Sequence, residues 1–262
     1  MKRVFNLTTS AAMTGSVISI ASLLIMPVSG FALGDASPAK IATRTSPFCT
    51  NLNTESGTIT SKLSSLTGKV TQAWTQQNSK LMADSQKVDQ TVAADRQKAD
   101  GERASDFTKL EAKATTDSQK SAVQTYETAV NDAVATRRSA YDDARQNFRS
   151  GVTSAVSGRQ GAVQTQLSTF EDSVNSAVSA AEASCGADST AGSTIHQTFQ
   201  TSLRTARTTF QSGRTTDNTV STQVRQLATA RDAAFKAADA VFQTSMASAR
   251  QALQQAFGKS SV

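Results

Sequence analysis

From Phe48 to Val262 the chain contains no proline, because Pro27, Pro38 and Pro47 all precede the first cysteine. Proline lacks a backbone donor and clashes with the preceding turn, so it breaks helix interiors. Here nothing of that kind interrupts a long stretch. Over the same stretch apolar residues recur every three or four positions in a frame that repeats every eleven, which is the pattern of long amphipathic helices.

The first segment carries a drifting stripe of Ile59, Leu63, Leu66, Val70, Trp74, Leu81, Val88, Val92, Ala99, Phe107 and Leu110, interrupted by Gln77, Ser85, Arg96 and Arg103. The second is cleaner. Val123, Val134, Val156, Leu167 and Val178 share one register, broken by Arg145, while Val130, Tyr141, Val152, Val163, Val174 and Cys185 fill another. A third register holds Tyr126, Arg137, Phe148, Arg159, Phe170 and Ala181. After the loop GADSTAGST, a last segment runs from Ile195 through Phe199, Leu203, Ala206 and Phe210, weakens at Gly213 and Asp217, and recovers from Val220 to Phe257. Eleven residues make three helical turns, so such helices pack nearly straight or with a slight right-handed supercoil.

Cys49 and Cys185 are the only cysteines, and their midpoint, residue 117, is where the stripe loses phase. There Thr115, Thr116, Asp117 and Ser118 offer helix N-caps, with Thr116 and Gln119 spaced as a capping box. A chain that reverses at its midpoint brings the two thiols together, and outside the cytoplasm such a pair oxidises. The spacing thus predicts two helices, on the order of 95 Å long at 1.5 Å per residue, joined by Cys49–Cys185; a bridge between two chains is the alternative. The expected fold is all-α, an elongated antiparallel bundle of about three long helices with eleven-residue periodicity, clasped by a disulfide. Residues 48–186 form the hairpin, and residues 187–262 the third helix, which through 213–218 either continues unbroken, since the steps of four and three are kept there, or breaks into a hairpin near Gly213.

Ahead of the hairpin, Lys2 and Arg3 precede an apolar run from Ala11 to Met26, followed by Pro27 and small residues. This reads as a signal peptide over residues 1–34, with Gly30/Ala32 or Ala32/Gly34 as cleavage positions. An uncleaved N-terminal anchor is the second choice. Residues 35–47 form a proline-containing tether. The expected location is therefore extracytoplasmic, secreted or associated with the cell envelope.

Charge points to no polyanionic partner. From Asp35 to Gly186 seventeen basic residues balance seventeen acidic ones, and from Ala187 onward eight basic residues face four acidic ones. An excess that small and scattered keeps a helix solvated rather than binding nucleic acid. Few large aliphatics, one Trp and two Tyr favour a thin seam between helices over a thick core.

An internal repeat appears as well. Arg137, Tyr141, Ala144 and Phe148 match Arg231, Phe235, Ala238 and Phe242, and Arg159, Val163 and Phe170 echo the spacing. Each unit sets an arginine on the apolar stripe, where its methylenes cover the seam and its guanidinium reaches a carboxylate or water. Arg137, Arg159 and Arg231 read as packing units. Gly151 and Gly158 share a face of the second helix, where they admit a close neighbour or mark a hinge; Gly161 lies nearby.

Residues suited to catalysis are sparse. His196 is the only histidine, and one imidazole without a second histidine or a nearby cysteine makes a poor metal site. The pairs Asp142/Asp143 and Glu171/Asp172 are adjacent in sequence, so they diverge around a helix and read as solvating charge. Neither a phosphate-binding glycine loop nor a nucleophile elbow occurs. No catalytic residue, metal ligand, cofactor or small-molecule substrate is expected. Two function classes remain: an extracytoplasmic rod acting as spacer, scaffold or adhesion-type module through a protein partner or self-association, and an amphipathic-helix protein lying on a membrane or lipid surface. A Val/Ala stripe with balanced charge favours the rod.

At Phe48-Cys49-Thr50-Asn51-Leu52, at the Arg-x3-aromatic-x6-Phe units and at Ala256-Phe257-Gly258, the chain resembles the uncharacterised exported, coiled-coil-like helical proteins of small-genome candidate-phylum bacteria. The resemblance implies a bacterial envelope setting and a paired-cysteine helical fold, and it brings no activity or site residue with it.

Overall fold

Ser46 caps the first helix: its hydroxyl oxygen accepts a hydrogen bond from the Phe48 amide at 3.2 Å, and its carbonyl accepts one from Thr50 at 3.0 Å. The computed structural model describes residues 46–215 and 219–258. The expected signal peptide, the tether up to residue 45 and residues 216–218 lie outside the described residues. Four helices follow one another, α1 (Pro47–Glu111), α2 (Asp117–Ala187), α3 (Gly192–Thr215) and α4 (Thr219–Ala256). Helix makes up 94% of the described residues, and no strand occurs among them. The tether expected through Pro47 ends one residue sooner, because a first helical position needs no amide hydrogen and suits proline's fixed φ.

A sequence this rich in Ser and Thr is a poor helix former unless its hydroxyls are occupied. They are: Thr58, Thr91, Thr125, Thr169, Thr205 and Thr229 each donate to the carbonyl four residues earlier, at 2.9 to 3.3 Å. This back-bonding satisfies the side chain without breaking the ladder.

The α1–α2 turn spans residues 112–116. Lys113 and Ala114 donate amides to Leu110 and Glu111 at 3.1 and 2.9 Å, tightening the end of α1. The capping box then opens α2, with Gln119 N on Thr116 Oγ1 at 3.2 Å and Thr116 N on Gln119 Oε1 at 3.3 Å. Gln119 Oε1 also accepts the Thr115 amide at 2.9 Å.

The described residues fall into two compact units, unit 1 with those up to Trp74 and Thr165–Arg214, and unit 2 with Thr75–Gln164 and those from Thr215 onward. In unit 1 the disulfide joins Cys49 to Cys185 with the Cα atoms 5.5 Å apart, and the Thr67 hydroxyl donates to Glu171. Here α1 and α2 are antiparallel. Leu52 and Ile59 of α1, Val174, Ala177, Val178 and Ala181 of α2, and Ile195, Phe199 and Ala206 of α3 form one buried cluster. Phe170 packs on Phe210 with ring centroids 5.2 Å apart, and Phe48 lies 5.9 Å from Phe199. The α2–α3 loop is an Asx turn, in which Asp188 Oδ1 accepts from the Thr190 amide at 2.9 Å. Ser46 N donates to Ser189 O at 2.9 Å. Gly192 permits that approach, since a Cβ there would overlap the Ser46 side chain. Helix α3 runs through Gly213 and ends at Thr215, and α4 begins at Thr219; Gly213 O accepts from Gln166 Nε2 at 2.9 Å, holding the last turns of α3 to α2.

In unit 2, α1 and α2 run antiparallel from the turn. Phe107 meets Tyr126 edge-on at 6.1 Å, and Arg103 Nε donates to Asn131 at 3.0 Å. Val123, Val130, Ala133, Ala144, Phe148, Val156 and Val163 line the buried side of α2, and Ala238 and Ala249 that of α4. Every residue of the three α2 registers is buried or half-buried. Of the paired glycines, only Gly151 is a close-approach position: a Cβ would stand 2.5 Å from Leu227 Cδ2. Gly158 faces open space, so the shared-face expectation fails there.

Candidate functional site: an arginine and aromatic ladder

Within unit 2, the two copies of the Arg-x3-aromatic-x6-Phe repeat face one another across α2 and α4. Tyr141 and Phe235 stack at the centre, with centroids 4.3 Å apart and planes 22° from parallel. The Arg137 guanidinium lies 4.9 Å from the Phe242 ring, and the Arg231 guanidinium lies 4.9 Å from the Phe148 ring. The arginine of each copy therefore covers the terminal phenylalanine of the other. Antiparallel helices carrying one motif produce this reciprocal contact because each reads the other's sequence backwards. An arginine over a ring keeps its methylenes in the seam and contributes cation–π attraction of about 0.5–2 kcal/mol.

On one side the ladder closes with a hydrogen-bonded triad. Arg137 Nε donates to Asp239 Oδ1 at 2.6 Å, Tyr141 OH donates to the same oxygen at 2.8 Å, and Arg137 Nη2 lies 3.3 Å from Tyr141 OH. Burial, more than any other influence, raises the Tyr141 pKa.

The other side differs. Under the 94-residue offset relating the copies, Asp239 corresponds to Arg145, so Arg231 meets no carboxylate from α2. It turns to its sequence neighbour Asp232 at 2.7 Å. Arg145 lies 5.7 and 5.6 Å from the Tyr141 and Phe235 rings and donates to Asp142 at 3.2 Å. Burial, then the nearby Arg96 guanidinium, lowers its pKa below the usual arginine value. Arg159 is half-buried on α2 in unit 2, whereas Phe170 of its echo falls in unit 1.

The sequence reading missed the carboxylates. Asp142, expected to be solvated, accepts both terminal nitrogens of Arg96 at 2.9 and 2.7 Å, and this pairing lowers its pKa. Asp89 pairs with Arg149, which holds its pKa down in the same way. Asp100 takes Arg138 and Arg103 and falls to about 2, chiefly through the Arg138 hydrogen bond. Glu171, also expected to be solvated, accepts from Thr67. A signal for two of these pairs was present: Asp89 and Asp100 are eleven apart, as are Arg138 and Arg149.

In unit 1, His196 lies 4.8 Å from the Phe48 ring and 3.0 Å from Gln200 Nε2. Beside it a cavity of about 30 Å³ opens between α1 and α3, lined by Leu52, Ile59, Phe199 and Leu203 among others. Such a space holds about one water. Among the described residues no three His, Cys, Asp or Glu side chains cluster as metal ligands, and no helix is long and apolar enough to cross a membrane. Compared with protein-family models, with curated proteins and with solved structures, the chain has no match in any of the three.

Proposed function

We propose that the chain is a non-catalytic extracytoplasmic rod of the cell envelope, a helical bundle that spaces or scaffolds and engages a protein partner or a second copy through its helix faces. In this reading the leader exports the helices. The disulfide is consistent with an oxidising compartment.

One observation carries the choice of rod over lipid-surface protein. Among the described residues, Met82 and Val241 are the large hydrophobic side chains left exposed. A helix bound at a lipid surface presents a broad apolar face rimmed with Lys and Arg. Here the apolar stripes are spent on one another, and the Arg96, Arg138 and Arg149 guanidiniums are bound to carboxylates.

Co-sedimentation of the oxidised protein with vesicles of anionic phospholipid is the direct test. The protein is expected in the supernatant, and strong binding overturns the reading in favour of the lipid surface. Proximity labelling in the native envelope then identifies the neighbour.

A further inference from the structure

We infer that the triad of Arg137, Tyr141 and Asp239 sets the position of α4 along α2, as a register lock. An eleven-residue frame creates a specific difficulty: sliding one helix by eleven residues returns its apolar residues to equivalent places. Applied to α4, a slide in one direction exchanges Phe235 against Tyr141 for Met246, and Arg231 against Phe148 for Phe242. The seam stays apolar, so packing discriminates weakly between the two positions.

The polar contacts do discriminate. Eleven residues to either side of Asp239 stand Ala228 and Arg250. One slide places a methyl group opposite Arg137 and the Tyr141 hydroxyl, and the other sets a second guanidinium against the first. An unpaired, mostly buried guanidinium is costly, and a like-charge pair is worse. Arg137 is only 19% exposed, so the cost of losing Asp239 is felt. A single polar residue in an apolar helix seam is a known means of fixing register. The inference stands apart from the envelope reading and concerns unit 2 alone.

The test uses the full oxidised chain with nitroxide labels on Asn147→Cys and Ala230→Cys, both exposed positions, and pulsed electron spin resonance distances between them. With Asp239 present, one short distance is expected. With Asp239→Ala, and with the isosteric Asp239→Asn, a second population is expected, displaced along the helix by about 16 Å at 1.5 Å per residue. The exchange Arg137→Asp with Asp239→Arg returns the single distance. A single short distance in helical Asp239→Ala and Asp239→Asn proteins overturns the inference. Loss of helix in both also overturns it, because a register lock leaves the helices intact when it opens.

Discussion

Arg138 on α2 holds Asp100 on α1 through both terminal nitrogens, at 2.9 Å to Oδ2 and 2.6 Å to Oδ1. The pairing, helped by Arg103, lowers the Asp100 pKa to about 2. A carboxylate with a depressed folded pKa adds stability that is complete above its unfolded value, near 3.9, and is lost as pH falls through the folded value. Asp89 and Asp142 shift in the same direction. Stability should therefore be flat above about pH 5 and fall between about pH 4 and pH 2. Asp100 is 43% exposed, so solvent screening limits its share to about 1 kcal/mol. Urea midpoints against pH for the native chain and Asp100→Asn check this, with the variant showing the smaller acid loss.

The disulfide closes a loop across 136 residues of sequence separation, which in the chain-entropy model is worth about 5 kcal/mol. Cys49→Ser is expected to lower the thermal midpoint clearly and to speed amide exchange first in the opening turns of α1. Equal midpoints for the variant and the oxidised native chain contradict this. Non-reducing electrophoresis should show the native chain as a monomer.

Gly151 and Gly158 should respond to alanine with opposite signs. Both gain about 1 kcal/mol of helix propensity, but only at Gly151 does the new methyl meet Leu227, at 2.5 Å. Gly158→Ala is expected to raise the urea midpoint, and Gly151→Ala to lower it. Adding Leu227→Ala to Gly151→Ala should remove the clash, so the paired effects are non-additive.

Thr116→Ala removes the acceptor for the Gln119 amide and should cost about 1 kcal/mol, the usual value of an N-cap. Ser118→Ala, an exposed position inside the first turn, serves as the control and should change stability by less than about 0.5 kcal/mol. Equilibrium unfolding in urea measures both.

Local chemistry made much of this fold legible. The TTDSQ stretch contains both halves of its cap, and a turn there lets two cysteines equidistant from it meet within one chain. The connection at residues 188–191 lies inside the GADSTAGST stretch that composition marks as a loop, though helix takes both ends of that stretch, and the burial of Phe199 and half-burial of Phe210 and Phe235 follow from spacing. The carboxylates were harder, because Asp142 and Asp143 are indistinguishable until α1 supplies Arg96 against one of them. Gly151 and Gly158 differ for the same reason, since only the placement of Leu227 tells them apart. The reciprocal capping of Phe148 and Phe242 was implicit in the repeat once the two helices were taken as antiparallel, whereas the substitution of Arg145 for an aspartate needed the pairing itself to be noticed.

Cys49 lies three residues past Ser46, which has a mechanical consequence. Tension applied through the chain ahead of Ser46 reaches a covalent branch point almost at once, and part of it passes into α2 through Cys185 before the remaining turns of α1 are strained. Ser46 is also hydrogen-bonded to Ser189 in the α2–α3 loop, so the same corner receives a pull from either side. A tether fastened upstream would then tug on three helix ends together instead of unwinding one.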